Sequence, residues 1–300
     1  MKKIAITGAT GFVGTNLEKY LKRSYKVRTL SVRYVHDQIF NITDDIIIHL
    51  AGKAHDLKKV SNPQEYYESN FELTKQLFDA FIVSKADVFI FMSTVKAVAD
   101  KIDGVLTEED LPNPQTHYGI AKRQAEEYIL GKEISKEKRV FIIRPCMIHG
   151  PGNKGNLNLL YNVVKKRIPY PLAAFQNERS FLGIDNFNFM ILKILENKNI
   201  ASGVYNFADD EVLSTNELVQ IISETLNKKN LSLAIPKSII NGIAKFGDLV
   251  KFPLNSETIQ KLTENYRVSN QNIKNAIGVD KLPNTAQQGL EQTIKSFSKK

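Results

Sequence analysis

Tyr118 and Lys122 stand four residues apart in the run Tyr118-Gly119-Ile120-Ala121-Lys122, a spacing that puts a phenol and an amine on one face of a helix. A phenol titrates near ~10, and an ammonium a few ångströms away favours the phenolate, so the pair can give or take a proton nearer neutrality. A surface Tyr and Lys meeting by accident would show the same spacing. Upstream, Phe89-Ile90-Phe91-Met92 reads as a buried strand ending in Ser93-Thr94, which sets two hydroxyls at the carboxyl end of a parallel strand, where open α/β sheets bind ligands. Near the start, Thr7-Gly8-Ala9-Thr10-Gly11-Phe12-Val13-Gly14 follows a strand pattern and opens a helix pattern. Glycines so placed permit a tight turn, close approach of backbone to a pyrophosphate and close packing of helix on sheet, and the helix N-terminus favours negative charge. A Gly-rich turn without a ligand is the plainer alternative for that segment.

These groups need a sheet to hold them. Lys3 to Thr7, Lys26 to Val32, Asp45 to Leu50, Asp87 to Met92 and Arg139 to Arg144 have strand length and β-branched or aromatic content. Amphipathic stretches at Phe12 to Lys22, Gln64 to Ser84 and Gln115 to Leu130 read as helices between them. This alternation predicts an α/β fold, a Rossmann-type doubly wound parallel sheet covered on both faces. The link from the second strand to Asp45 is too short for a full crossover helix. Beyond about residue 165 the elements shorten: a strand at Gly203 to Phe207, a helix opened by the capping box Ser214-Thr215-Asn216-Glu217, and an amphipathic stretch from Ala286 to Ser296. The expected division is a dinucleotide-binding domain over residues 1–165, with the catalytic residues, and a smaller mixed α/β substrate lobe over 166–300, with chain exchange between the lobes allowed.

Taken together, these motifs resemble the extended short-chain dehydrogenase/reductase family, in its nucleotide-sugar epimerase/dehydratase/reductase branch. The resemblance spans nearly the whole chain. It rests on Thr7-Gly8 to Gly14, Ile48-His49-Leu50-Ala51-Gly52, Asn70, Ser93-Thr94, Tyr118 with Lys122, and Arg144-Pro145 followed by His149-Gly150-Pro151-Gly152. Arg179-Ser180-Phe181 with Asp185-Asn186, and Tyr205-Asn206-Phe207, continue it. The resemblance implies that Thr94 hydrogen-bonds the reacting sugar oxygen, that Tyr118 is the acid or base, and that Lys122 binds the nicotinamide ribose and tunes Tyr118. It implies a dinucleotide bound by Thr7, Gly8, Gly11, Phe12, Val13, Gly14, Leu50, Ala51, Gly52, Asn70, Ser93 and Pro145, and a nucleotide-diphosphate sugar, expected to be a UDP-sugar, met by Lys96, Asn156 and Arg179. Lys96 and Arg179 each keep a second reading, as a solvated cation.

Two departures narrow the reaction. Family dehydratases follow the catalytic hydroxyl with an Asp-Glu pair, whereas this chain has Val95-Lys96. That argues against a 4,6-dehydratase. The run Ser93-Thr94-Val95-Lys96 resembles the branch that reduces UDP-4-keto-6-deoxy-N-acetylhexosamines, which implies such a reductase serving surface polysaccharide synthesis, with a UDP-hexose 4-epimerase as the alternative. Leu30-Ser31-Val32-Arg33 ends the second strand without the carboxylate that would bind an NAD ribose; Arg33 can pair with a 2′-phosphate, so NADP(H) is expected over NAD(H). A catalytically dead dinucleotide sensor is a more distant alternative, disfavoured because Thr94, Tyr118 and Lys122 are all present.

The composition fits an ordinary folded soluble protein and excludes a disordered or fibrous one: 42% hydrophobic, 24% charged and a net charge of +9. The positive excess gathers in two stretches, 11 basic against 5 acidic residues over 1–60 and 9 against 2 over 132–168. Neither carries a nucleic-acid-binding motif, so the field fits two diphosphate ligands better than a nucleic acid. The lone Cys146 excludes an intrachain disulfide or a cysteine zinc cluster and points to a reducing compartment, the cytoplasm. His49 reads as a satisfied buried imidazole; His55, His117 and His149 show no metal spacing, so no metal is expected. The apolar run after Met1 is too short for a signal peptide, and Ile239 to Val250 is interrupted by Asn241, Lys245 and Asp248, so no membrane insertion is expected. The resemblance implies a homodimer through the helices Gln64 to Ser84 and Gln115 to Leu130.

Overall fold

Strands whose side chains are apolar on both faces must be covered on both, and the strands of this chain alternate accordingly. Ile4, Ile6, Ile48, Ile90, Phe141 and Ile143 point to one side of the sheet, into a core shared with Leu17 and Phe187. Ile47, Phe89, Phe91 and Ile142 point to the other, onto Leu77, Phe78, Phe81 and Ile129. The structure, a computed structural model, describes residues 1–53, 62–153, 156–250 and 255–298. The first half runs β1 (Lys3–Thr7), α1 (Phe12–Leu21), β2 (Lys26–Leu30), β3 (Ile46–His49), α2 (Gln64–Tyr67), a π-helical turn (Glu68–Glu72), α3 (Leu73–Val83), β4 (Val88–Met92), β5 (Val105–Leu106), α4 (His117–Leu130) and β6 (Arg139–Pro145). The rest runs β7 (Met147–His149), α5 (Asn156–Lys165), β8 (Arg179–Gly183), α6 (Ile184–Glu196), β9 (Gly203–Phe207), β10 (Val212–Leu213), α7 (Thr215–Thr225), α8 (Lys237–Val250), α9 (Ser256–Thr263), β11 (Arg267–Val268), α10 (Gln271–Ile277) and α11 (Ala286–Phe297).

The main sheet is parallel throughout, in the order β2-β1-β3-β4-β6-β9. It is the α/β, doubly wound architecture expected. The chain reverses direction at β1, with β2 on one flank and β3 on the other, and residues 31–45 cross between them without a helix. Such a switch point opens a crevice beyond the carboxyl ends of the strands. A second, smaller sheet, β10-β8-β7, packs with α5, α7 and α11 around Phe181, Ile222, Leu290 and Ile294, an apolar cluster of its own. Between these, α6 packs on α1 and β9 pairs with β6, so residues 184–207 return to the first sheet after the second sheet has begun.

Candidate active site

The dinucleotide loop is shaped by what its glycines leave out. Gly8 has φ +67, and a Cβ there would stand 2.7 Å from Ala51 N; a Cβ on Gly14 would stand 2.3 Å from Gly8 O. The turn after β1 therefore lies directly on the exit of β3, and α1 lies directly on the turn. Gly11 caps α1 and its N–H donates to Gly8 O at 3.0 Å. Phe12 faces the loop after β7, where a Cβ on Gly150 would come within 3.3 Å of its ring, and Asn16 Nδ2 donates to Phe12 O and to Pro151 O. Val13 is half-buried in the same first turn.

Behind this loop runs a buried polar chain. Ala51 N–H donates to Thr7 Oγ1 at 3.1 Å, Thr7 Oγ1 and His49 Nδ1 are 2.7 Å apart, and His49 Nε2 is 3.0 Å from Thr74 Oγ1, which donates to Asn70 O. Because the Thr74 hydrogen is committed to Asn70 O, His49 carries its proton on Nε2 and accepts from Thr7 at Nδ1. Burial, helped by Lys122, pushes the His49 pKa down to about 3, so the ring is the neutral, satisfied imidazole expected. Asn70 is fully buried in the π turn, with Oδ1 accepting Lys53 N–H and Nδ2 donating to Lys53 O and Tyr66 O. π turns of this kind recur at functional sites.

Lys122 enters from α4. The residue is 3% exposed, and its ammonium donates to Met92 O at 2.7 Å and lies 4.7 Å from the centre of the Phe91 ring. A Cβ on Gly52 would stand 3.3 Å from Lys122 Nζ, so the bare backbone of Gly52 forms the opposite wall. Burial pulls Lys122 down to about 7, and the Glu126 carboxylate pulls the other way. Tyr118 departs from the sequence-based expectation of a proton released near neutrality. Burial pushes its phenol up to about 12, the Thr94 hydroxyl within hydrogen-bonding range acting against the shift, and the ring is tilted against Tyr66 at 6.4 Å. Thr94 is buried, caps the short 3₁₀ turn Val95–Ala97 and accepts from Lys96 N–H.

Thr94, Tyr118 and Lys122 are thus brought together at the carboxyl ends of β4 and α4's first turns. Ser93 is beside them, but its hydroxyl donates to Glu126 rather than facing the glycine loop. Pro145 closes β6, paired with Phe207. Arg33 is exposed in the segment after β2. Lys96 Nζ donates to Asp100 O and lies 4.4 Å from the centre of the Tyr266 ring, and Tyr266 also forms a backbone bridge with Arg179. Arg179 lies 3.9 Å from Glu264, and burial lowers its pKa. Asn156 opens α5, its side chain outside the described part of the structure, as is all of His55. Among the described residues no cluster of His, Cys, Asp or Glu could hold a metal, and no helix is long and apolar enough to cross a membrane. Cys146 is buried and its thiol is pushed well up by burial, a packing residue.

The residues fit a dinucleotide: Gly8, Gly14 and Gly52 let the β1 turn, α1 and the exit of β3 pack against one another with no Cβ between them, which sets the N-terminus of α1 beside the switch point where a pyrophosphate would lie. A family model described as the NAD dependent epimerase/dehydratase family matches residues 4–208. Over 99% of its length the chain is 31% identical to a UDP-glucose 4-epimerase of Vibrio cholerae, 95% of which is covered. Among solved structures, MoeE5 in complex with UDP-glucose and NAD has a TM-score of 0.76 at 18% identity, covering 99% of both chains. The structure of RMD from Pseudomonas aeruginosa complexed with NADPH has a TM-score of 0.75 at 19% identity, covering 100% of both chains, and both likenesses speak to the fold.

Proposed function

Since the chain belongs to the NAD-dependent epimerase/dehydratase family, of the extended short-chain dehydrogenase/reductase fold, we propose that it reduces the C4 carbonyl of a UDP-4-keto-6-deoxy-N-acetylhexosamine. The observation that carries this reading is the convergence of Tyr118, Thr94 and Lys122 where β4 ends, with Lys122 Nζ between Met92 O and Gly52; there Tyr118, pushed up to about 12 by burial, holds its proton beside the Thr94 hydroxyl. A bound nicotinamide supplies the hydride. Tyr118 delivers the proton to the sugar oxygen, and Thr94 donates a hydrogen bond to the same oxygen and fixes its position. Lys122, between Gly52 and Met92, binds the nicotinamide ribose and stabilises the phenolate left behind. Val95 and Lys96 provide no acid pair, in keeping with reduction rather than dehydration. Lys96, Arg179 and Asn156 meet the diphosphate sugar, and the exposed Arg33 favours NADP(H) over NAD(H).

A second reading, a UDP-hexose 4-epimerase, is favoured by the Vibrio cholerae relative, which the chain matches over almost its whole length. An epimerase oxidises and re-reduces the same sugar, so it consumes no cofactor. The deciding experiment offers UDP-4-keto-6-deoxy-N-acetylglucosamine with NADPH and, separately, NADH, following cofactor absorbance alongside sugar analysis by NMR. Stoichiometric oxidation of the cofactor, faster with NADPH, is expected. Epimerisation of an unmodified UDP-hexose without cofactor turnover would replace this reading by the second.

A further inference from the structure

One turn beyond Lys122, on the same face of α4, stands Glu126, with none of its surface exposed. A buried carboxylate is costly unless charge-assisted bonds surround it. Arg144 on β6 donates to it through Nε at 2.9 Å and Nη2 at 2.6 Å, and Ser93 Oγ at the end of β4 donates at 2.5 Å. Arg123, on α4 itself, reaches it through Nη1 at 3.5 Å. The Arg144 side chain is 3% exposed and its Nη1 meets no acceptor, so without Glu126 it would have no solvent to turn to. The cluster ties α4 to two neighbouring strands next to the point where Thr94, Tyr118 and Lys122 converge.

We propose that Glu126, clamped by Arg144 and Ser93, is a positioning residue that keeps Lys122 charged in its dry site and holds α4 against β4 at the spacing the Tyr118 and Thr94 hydroxyls require. The surroundings of Lys122 leave this task to Glu126. From β3 it faces His49, a neutral ring; from β4, the Phe91 ring and Met92 O; from the π turn, the Asn70 amide; and on its own helix, Tyr118, a neutral phenol. Glu126 is the one charge among the described residues that offsets the burial of Lys122. The inference rests on the proposed role of Lys122 in holding the cofactor ribose.

The test is the pH dependence of cofactor affinity, followed by nicotinamide fluorescence with NADPH and NADH. An ammonium donates hydrogen bonds about twice as strong as a neutral amine does, so affinity should weaken as pH rises through the Lys122 ionisation. In Glu126→Gln the weakening should come about one pH unit lower. Because that variant leaves the buried Arg144 unpaired, Glu126→Gln/Arg144→Met is measured beside it, and it should regain thermal stability with a profile displaced less than that of the single variant, since a cation has gone with the carboxylate. Glu126→Asp, which retains the charge, should keep the wild-type profile. A Glu126→Gln variant that folds and shows the wild-type profile reduces Glu126 to a structural residue, whatever its melting temperature. A wild-type protein that binds neither cofactor overturns the proposed function and takes this inference with it, whereas binding with an unmoved profile overturns the inference alone.

Discussion

Tyr118 shows how little a neighbour's identity says until its bonds are known. Lys122 is four residues away on the same helix face, yet its ammonium donates to Met92 O and lies over the Phe91 ring, and burial outweighs its charge in setting the state of the resting phenol. Burial therefore decides, and the phenol stays protonated far above neutrality. A side chain in that state is an acid, which is the role reduction of a carbonyl requires. Tyr118→Phe removes the proton and leaves the ring in place against Tyr66. Turnover is expected to fall by about 10²–10⁴-fold while affinity for NADPH changes little, measured by steady-state kinetics beside fluorescence titration. Unchanged turnover would remove Tyr118 from the chemistry.

Helix α4 carries Tyr118, Lys122 and Glu126, so the start of that helix sets the register of the site. Thr116 caps it, its hydroxyl accepting Gly119 N–H at 3.2 Å, and Asp100 accepts Gln115 N–H at 2.8 Å just ahead. A Cβ on Gly119 would stand 2.4 Å from Lys96 O, so α4 also presses on the turn that Thr94 caps. Thr116→Ala should cost about 1 kcal/mol of stability. It should also lower kcat more than it weakens cofactor binding, because Tyr118 sits two residues inside the cap while the glycine loop is untouched; an equal loss in both would place the cap outside the catalytic geometry. The faces of α2, α3 and α4 that leave Val83 and Leu130 exposed are where we place the proposed homodimer contact, and sedimentation showing a monomer at micromolar concentration would refute it. The glycine loop, Thr94, Tyr118 and Lys122 were legible in the sequence because each depends on spacing within one element and on its place at a strand end. The capping box at Ser214 and Glu217 was legible for the same reason and forms as read. The π turn around Asn70 was not, since it inserts one residue into a helix pattern that already runs from Gln64. Nor was the Glu126 and Arg144 pair: the Lys122 spacing repeats at Glu126, but only the pairing of β4 with β6 brings Arg144 and Ser93 to it. The β10-β8-β7 sheet escaped because its members are two to five residues long and pair across the turn into α6.

The two sheets meet around Asp209, which is 3% exposed. Its carboxyl accepts Gly183 N–H from the end of β8 and Asn186 Nδ2 from α6, and His149 Nε2 at the end of β7 lies 3.9 Å away. His149 Nδ1 meets Thr293 Oγ1 of α11, and that hydroxyl donates to Gly289 O, so the ring proton is on Nδ1 and Nε2 is a bare acceptor turned toward Asp209. Two acceptors facing each other favour a proton on one of them. Burial pushes Asp209 up to about 7 and His149 down to about 4, which assigns the proton to Asp209. An unfolded Asp titrates near ~3.9, so between that value and about 7 the folded chain holds a proton that the unfolded chain has released. Stability from this group is therefore full at the acid end of the window and lost as pH rises through it. Asp209→Asn does not titrate; an amide nitrogen in the place of Oδ2 faces His149 Nε2 but cannot accept Gly183 N–H, a loss that offsets its stability equally at every pH. The melting temperature of the wild type relative to Asp209→Asn should fall from pH 5 to about pH 7 and level off above it, by an amount equivalent to a few kcal/mol at most. Both folded chains keep His149 neutral across that range and share every other ionising group, so the difference isolates Asp209. A difference that stays constant with pH would mean that the joint between the sheets holds a carboxylate throughout, and that His149 meets it through some other donor.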